Sequence, residues 1–189
     1  IRSTTPTNIE IKNKISPNCL PILGDTTQIN QILINLCNNA IDALPISGGI
    51  IEIELRNSEV DQHKGVSAHK LAKGKYIRLI VRDNGSGIPQ KILDRIFEPY
   101  FTTKDVGKGS GIGLAVVHGI IENHGGSITC ESANGEGTTF TILLPAYEGV
   151  VEEKREPKHA LPGKGERVLY VDDEPSIAKL GKRHLEALG

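Results

Sequence analysis

The sequence predicts an α+β fold, a two-layer sandwich of one mixed, mainly antiparallel sheet with helices on one face. Three observations carry this. Several short segments alternate apolar and polar residues with the period of two that a half-buried strand needs, as in "IEIKNKI" and "IIEIEL". Two longer segments carry their apolar residues at helical spacing. The elements follow one another without strict β-α-β alternation, which disfavours a parallel, doubly wound sheet.

Residues 7–15, "TNIEIKNKI", open with a strand. Residues 25–44, "DTTQINQILINLCNNAIDAL", form a long helix, with Asp25 as N-cap and Gln28 at capping-box spacing. "IIEIEL" at 50–55 is a second strand after the Gly48-Gly49 turn, and the polar, aperiodic residues 58–74 read as a surface loop. "YIRLIVR" at 76–82 is a third strand, running straight into "DNGSGIP" at 83–89. Pro89 starts a short helix over 90–96, and the glycine-rich residues 97–111 have no periodicity. Residues 112–126 form a helix stopped by the pair Gly125-Gly126, and "SITCES" and "TTFTILLP" make a final hairpin around "ANGEG". Residues 1–146 thus form one domain. Residues 147–165, charged and rich in Pro and Gly, read as a linker. Residues 166–189 begin a new β-α pattern and stop, and a doubly wound domain cannot close on one strand and one helix.

Composition narrows the function classes. The chain is 38% hydrophobic but only 4% aromatic, so its core must be built of Ile, Leu and Val. The net charge is −1 with both signs interspersed, leaving no global field for nucleic acid or a membrane surface. No apolar run is long enough to span a bilayer, and no signal peptide heads the chain. Three unclustered cysteines, without a CxxC, fit a reduced, cytoplasmic compartment and no zinc site. A chain that opens at Ile1 and contains no Met reads as a piece of a longer protein.

Three stretches carry possible chemistry. On the helix of residues 25–44, an advance of 100° per residue gathers Gln28, Gln31, Asn35, Asn39 and Asp42 into a polar stripe about 80° wide. Ile29, Ile32, Leu33, Leu36, Cys37, Ala40, Ala43 and Leu44 form the adjoining apolar face, while Ile34 and Ile41 fall on a third. Amides are poor helix formers. The stripe is either a tolerant solvent face or a set of neutral oxygens, Asn35 and Asn39 at i and i+4, for a hard cation whose charge is balanced by a substrate's phosphates. "DNGSGIP" is ordinary turn chemistry, or a backbone bared so that a flat ligand can lie against it, gripped by Asp83. Gly107, Gly109, Gly111 and Gly113 run into a helix start, with Lys104 and Lys108 in the same loop. They make either a flexible loop or an anion cradle at a helix N-terminus, but they match neither common phosphate-loop signature.

"NLCNNA", "DNGSGIP", "FEPYFTTK", "GKGSGIGLA" and "GEGTTF" stand in that order over about residues 5–145. Together they resemble the N, G1, F, G2 and G3 boxes of the catalytic ATP-binding domain of sensor histidine kinases. The resemblance implies a Bergerat-type sandwich holding ATP and Mg²⁺ between the first helix and a lid. Asp83 would accept from adenine's exocyclic amine, with Gly87 near the ring; guanine would present a carbonyl there, acceptor to acceptor. Asn39, with Asn35 beside it, would hold Mg²⁺, and Thr138 would support the adenine side. Phe97 through Lys104 and the glycine series would form the lid, with Lys104 near the phosphates. Gly85, Ile88, Phe101, Ile112 and Leu114 complete the nucleotide contacts that the boxes imply. Asn35, Asn39 and Lys104 would be the catalytic set.

The same superfamily includes ATPases of the gyrase, heat-shock chaperone and mismatch-repair type, whose water-activating glutamate sits where this chain has Asn35. An amide cannot act as a general base near neutral pH, so phosphoryl transfer is favoured over hydrolysis. Many of the kinases carry a lysine three residues after the Mg²⁺ asparagine; here that position is Asp42. None of His63, His69, His118, His124, His159 and His184 is followed by an acidic residue, so the phosphoacceptor helix is expected upstream of Ile1. "RVLYVDDEP" resembles the first strand of a receiver domain, where Asp172 and Asp173 would hold Mg²⁺ in an incomplete site. The expected parent is a homodimeric hybrid kinase, and the fragment a monomer. It would act on its own histidine domain and on a receiver in cis or a response regulator, and not on nucleic acid. The parent is cytoplasmic or anchored to a membrane. Hydrolysis by a superfamily ATPase and a degenerate interaction module are the competing readings.

Overall fold

The computed structural model describes residues 6, 8–61, 71–104, 109–149, 168–171, 181–183 and 185–186. The chain divides into two units, Ile1–Gly149 and Val150–Gly189. The first contains β1 (Ile9–Ile15), α1 (Thr26–Ala43), β2 (Gly49–Val60), β3 (Gly74–Asp83), a 3₁₀ turn (Gln90–Arg95), α2 (Gly113–Asn123), β4 (Ser127–Ala133) and β5 (Gly137–Pro145). The strands form one sheet in the order β1-β2-β3-β5-β4, with β1 parallel to β2 and every other neighbouring pair antiparallel. This is the mixed α/β sandwich expected from the sequence.

Register explains the core. Ile51, Val81 and Phe140 lie on one face of β2, β3 and β5 together with Leu79 and Ile142. Against that face pack Ile32, Leu36 and Ala40 of α1 and Val117, Ile120 and Ile121 of α2. The apolar stripe read from α1 is therefore its buried face. Of the two residues assigned to a third face, Ile41 packs against the core and Ile34 stays 47% exposed. The opposite face of the sheet carries paired charges, such as Arg56 with Glu54 at 2.9 Å.

Asp25 caps α1 as expected, its Oδ1 accepting from Thr27 N at 2.7 Å. Residues 58–60 and 74, read from sequence as loop, are strand instead: Val60 pairs with Gly74 and Glu59 with Lys75. The hairpin ladder supplies backbone partners that polar side chains do not betray. Beyond β5, Ala146 bridges to Ile22, and Tyr147 N donates to Pro21 O at 2.7 Å.

In the second unit the expected strand is not formed at residues 168–171, which lie in no strand; Leu169 is 90% and Val171 80% exposed. A strand without a sheet has nothing to pair with. Residues 181–183 and 185–186 are helical. Asp172 and Asp173 lie outside the described residues. No helix among the described residues is long and apolar enough to cross a membrane.

Candidate active site

β3 ends at Asp83, on the face of the sheet that bears the core, directly opposite Thr138 at the start of β5. Both are buried, 6% and 4% exposed. The carboxylate accepts from Gly85 N at 2.8 Å, and the Thr138 backbone beside it also favours the charged form. Burial nonetheless wins and raises the Asp83 pKa above the ordinary carboxylate range. The same burial, with the Asp83 charge adding to it, pushes the Cys130 thiol up to about 12, so that thiol stays protonated.

The turn after Asp83 is pinned on both sides. Ser86 N donates to Ala43 O at the end of α1, and Gly135 N donates to Ser86 O. Ile88 N donates to Ser132 Oγ at 2.7 Å; that hydroxyl donates to Gly137 O and lies 3.0 Å from Thr138 Oγ1. Gly87 has φ +69°, and a Cβ there would run into the Ala133 carbonyl. Glycine is therefore required on steric as well as conformational grounds.

Across the opening stand α1 and the segment from Phe97 to Lys104. Phe97 anchors that segment, its ring 5.3 Å from His118 of α2 and 6.5 Å from Phe140 of β5. Arg95 lies over the Phe101 ring at 4.5 Å. Between these aromatic anchors Tyr100 takes φ +66° and turns outward, 78% exposed, its N–H donating to Gly111 O. Gly111 itself has φ +64° and packs on the Tyr100 backbone. Asn35 Nδ2 donates to Gly113 O at 3.3 Å, tying the start of α2 to α1. α2 has no side-chain cap, so its first N–H groups are left for a ligand.

Together these elements enclose a cavity of about 460 Å³. Asn35, Asn39, Asp83, Gly87, Ile88, Phe101, Lys104, Gly109, Gly111, Gly113, Leu114 and Thr138 all line it. Gly85 and Ile112, expected as nucleotide contacts, do not: Gly85 gives its N–H to Asp83, and Ile112 stands at the N-cap of α2, 41% exposed. Gly107 lies outside the described residues. The lining also includes Thr102 and Thr103, which fall within the expected lid segment, and Ser86, Ile92, Ile96, Ser110 and Phe140, which the sequence reading passed over. Ser86, Ser110 and Phe140 sit within or beside the recognised motifs; for Ile92 and Ile96 only the 3₁₀ turn decides which way they face.

The lining is apolar around Asp83, with Ile88, Phe101 and Phe140, and polar around Asn35, Asn39 and Lys104. Among the described residues no three His, Cys, Asp or Glu side chains gather that could hold a metal by themselves.

The family described as histidine kinase-, DNA gyrase B- and HSP90-like ATPase matches residues 24–148. The chain belongs to that family. The sensor kinase CckA of Brucella abortus is 38% identical over 96% of this chain and 20% of its own length. The sensor histidine kinase ZraS of Escherichia coli is 41% identical over 66% of this chain and 23% of its own. Among solved structures, the catalytic domain of the histidine kinase ThkA, nucleotide-free, superposes with a TM-score of 0.56 at 33% identity, covering 74% of this chain and 81% of that one. Full-length ShkA in complex with AMPPNP superposes with a TM-score of 0.58 at 26% identity, covering 96% of this chain and 34% of that one. Residues 24–148 are thus the catalytic ATP-binding domain of a two-component sensor histidine kinase. The chain spans about a fifth of the length of these two curated relatives.

Proposed function

We propose that this domain transfers the γ-phosphoryl group of ATP to a histidine on a separate phosphoacceptor domain of its parent, for relay to a receiver aspartate. The observation that carries the reading is Asn35. It lines the same cavity as Asn39 and Asp83, at the position where a water-activating acid would have to stand, and its amide nitrogen is held by Gly113 O. An amide takes no proton from water near neutral pH, so Asn35 cannot be the base that hydrolysis requires at this position. The γ-phosphoryl group is left for a nucleophile brought from outside. Positioning and charge stabilisation then supply most of the catalysis, as is usual for phosphoryl transfer.

In this reading Asp83 accepts from adenine's amine and Thr138 supports it. Asn39, with Asn35 beside it, would hold Mg²⁺. The neutral amide pair fits a hard, oxygen-seeking cation that arrives with phosphate charge, and the cation would offset charge on the transferring group. Lys104 meets the phosphates, and the amides at the start of α2 add a positive dipole end. The working partners are a histidine-bearing dimerisation domain of the parent homodimer and a receiver, in the cytoplasm where ATP is available. The tail supports a hybrid parent: "RVLYVDDEP" resembles a receiver start with Asp172 and Asp173 as an Mg²⁺ pair, and the likeness to CckA runs over 96% of the chain. On that reading residues 1–146 are the kinase domain, 147–165 a linker and 166–189 an incomplete receiver.

The test adds the chain and radiolabelled Mg·ATP to a separately produced histidine phosphoacceptor domain of a sensor kinase. Acid-labile, base-stable label on the acceptor, lost when its histidine is replaced, is the expected result. Steady phosphate release by the chain alone, with no label transferred, would instead make it an ATPase.

A further inference from the structure

Asp42 is the one charged member of the amide stripe, a turn beyond Asn39 and next to the last residue of α1. Two things oppose a carboxylate there. It faces the negative end of the helix dipole, and it lines the polar part of a cavity read as a polyphosphate site. The structure shows what offsets both. Lys104, 62 residues further along the chain, donates from Nζ to Asp42 Oδ2 at 2.5 Å. Lys104 is itself held from behind: its N–H donates to Thr102 Oγ1 at 3.2 Å. Gly109 returns close to it, so that an added Cβ would lie 3.0 Å from Lys104 Cδ.

We propose that Asp42 is a positioning residue for the nucleotide's phosphates, acting through Lys104. An ammonium has three donors; one goes to Asp42, and two remain for phosphate oxygens. Lysine's four-carbon stem is flexible, and the carboxylate fixes its end at the α1 side of the cavity. The segment after Phe97 thereby supplies to α1 a positive charge that the helix does not carry. The pair is half exposed, with side-chain accessibilities of 38% for Lys104 and 52% for Asp42. Its own contribution to folding is therefore slight, and it stays open to a ligand. The inference rests on Lys104 being a phosphate contact.

The experiment measures Mg·ATP and adenosine affinities by calorimetry on the full 189-residue chain. Lys104→Gln should weaken Mg·ATP about tenfold and leave adenosine unchanged. Asp42→Asn should weaken Mg·ATP about two- to fivefold, again without touching adenosine, and Asp42→Glu should recover most of the loss. Thermal stability should not fall, since Asp42→Asn removes an unfavourable charge from the helix end. Asp42→Asn added to Lys104→Gln should cost nothing further. Tighter Mg·ATP binding in Asp42→Asn would make the carboxylate a competitor of the phosphates and overturn the proposal, as would an undiminished loss in the double variant. A silent Lys104→Gln would remove the phosphate contact itself, and with it the ground for a role of Asp42, while leaving adenosine binding at Asp83 intact.

Discussion

At the scale of single residues, base recognition is proposed to rest on Asp83. It is buried, its remaining acceptor capacity lies in an apolar part of the cavity, and losing a hydrogen bond to a charged group costs about 1.5–3 kcal/mol. Asp83→Ala should therefore weaken both ATP and adenosine about 10- to 150-fold, read by calorimetry, whereas a phosphate-side substitution spares adenosine. Acidity offers a second handle. Burial raises the Asp83 pKa in the folded chain, so keeping it ionised costs stability at neutral pH. That cost is relieved as pH falls through the raised pKa towards the ordinary carboxylate value. Adenosine affinity should run the other way, declining over the same window as the charged acceptor is lost. An adenosine affinity that stays flat on acidification down to about pH 4 would mean that the carboxylate is not the acceptor.

At the scale of elements, the turn after β3 and the start of α2 hold the site by backbone. The turn was legible as "DNGSGIP", because glycine, asparagine and proline announce special dihedrals locally. Its anchoring was not: Ser132, whose hydroxyl takes the Ile88 N–H, sits in "SITCES", a stretch that reads only as strand. Gly87→Ala meets both a positive φ and the Ala133 carbonyl. It should destabilise the domain by about 1–3 kcal/mol or more, seen as a lower denaturation midpoint even without nucleotide. Asp83→Ala leaves Gly85 N without its acceptor but also removes a buried charge, so its stability loss should be the smaller of the two and its loss of nucleotide affinity the larger. The same local limit hid the extension of β2 to Val60: its polar residues gain strand structure from the ladder with β3, not from periodicity.

At the scale of the whole domain, the cavity is formed by elements that come together only in the folded state, so ligand binding and folding are linked. Mg·ATP at about 100 times its dissociation constant should add about 2.7 kcal/mol, or about 5–10 °C in midpoint for a chain of this size. Mg·GTP should add little, because its base offers an acceptor to Asp83. Equal shifts with both nucleotides would place recognition on the phosphates alone and remove Asp83 from base choice.

The order of the five motifs and the two faces of α1 followed from sequence alone, since helical and strand periodicities and turn residues act over a few positions; Asp83 and Asn39 were singled out by the family resemblance that those motifs carry. The sheet order decided the rest. Thr138 stands opposite Asp83 because β3 pairs with β5. Asn35 reaches Gly113 and Asp42 reaches Lys104 across 78 and 62 residues of chain. Such meetings depend on how α1, α2 and the segment after Phe97 pack on one face of the sheet, and no short-range pattern in the chain encodes that packing.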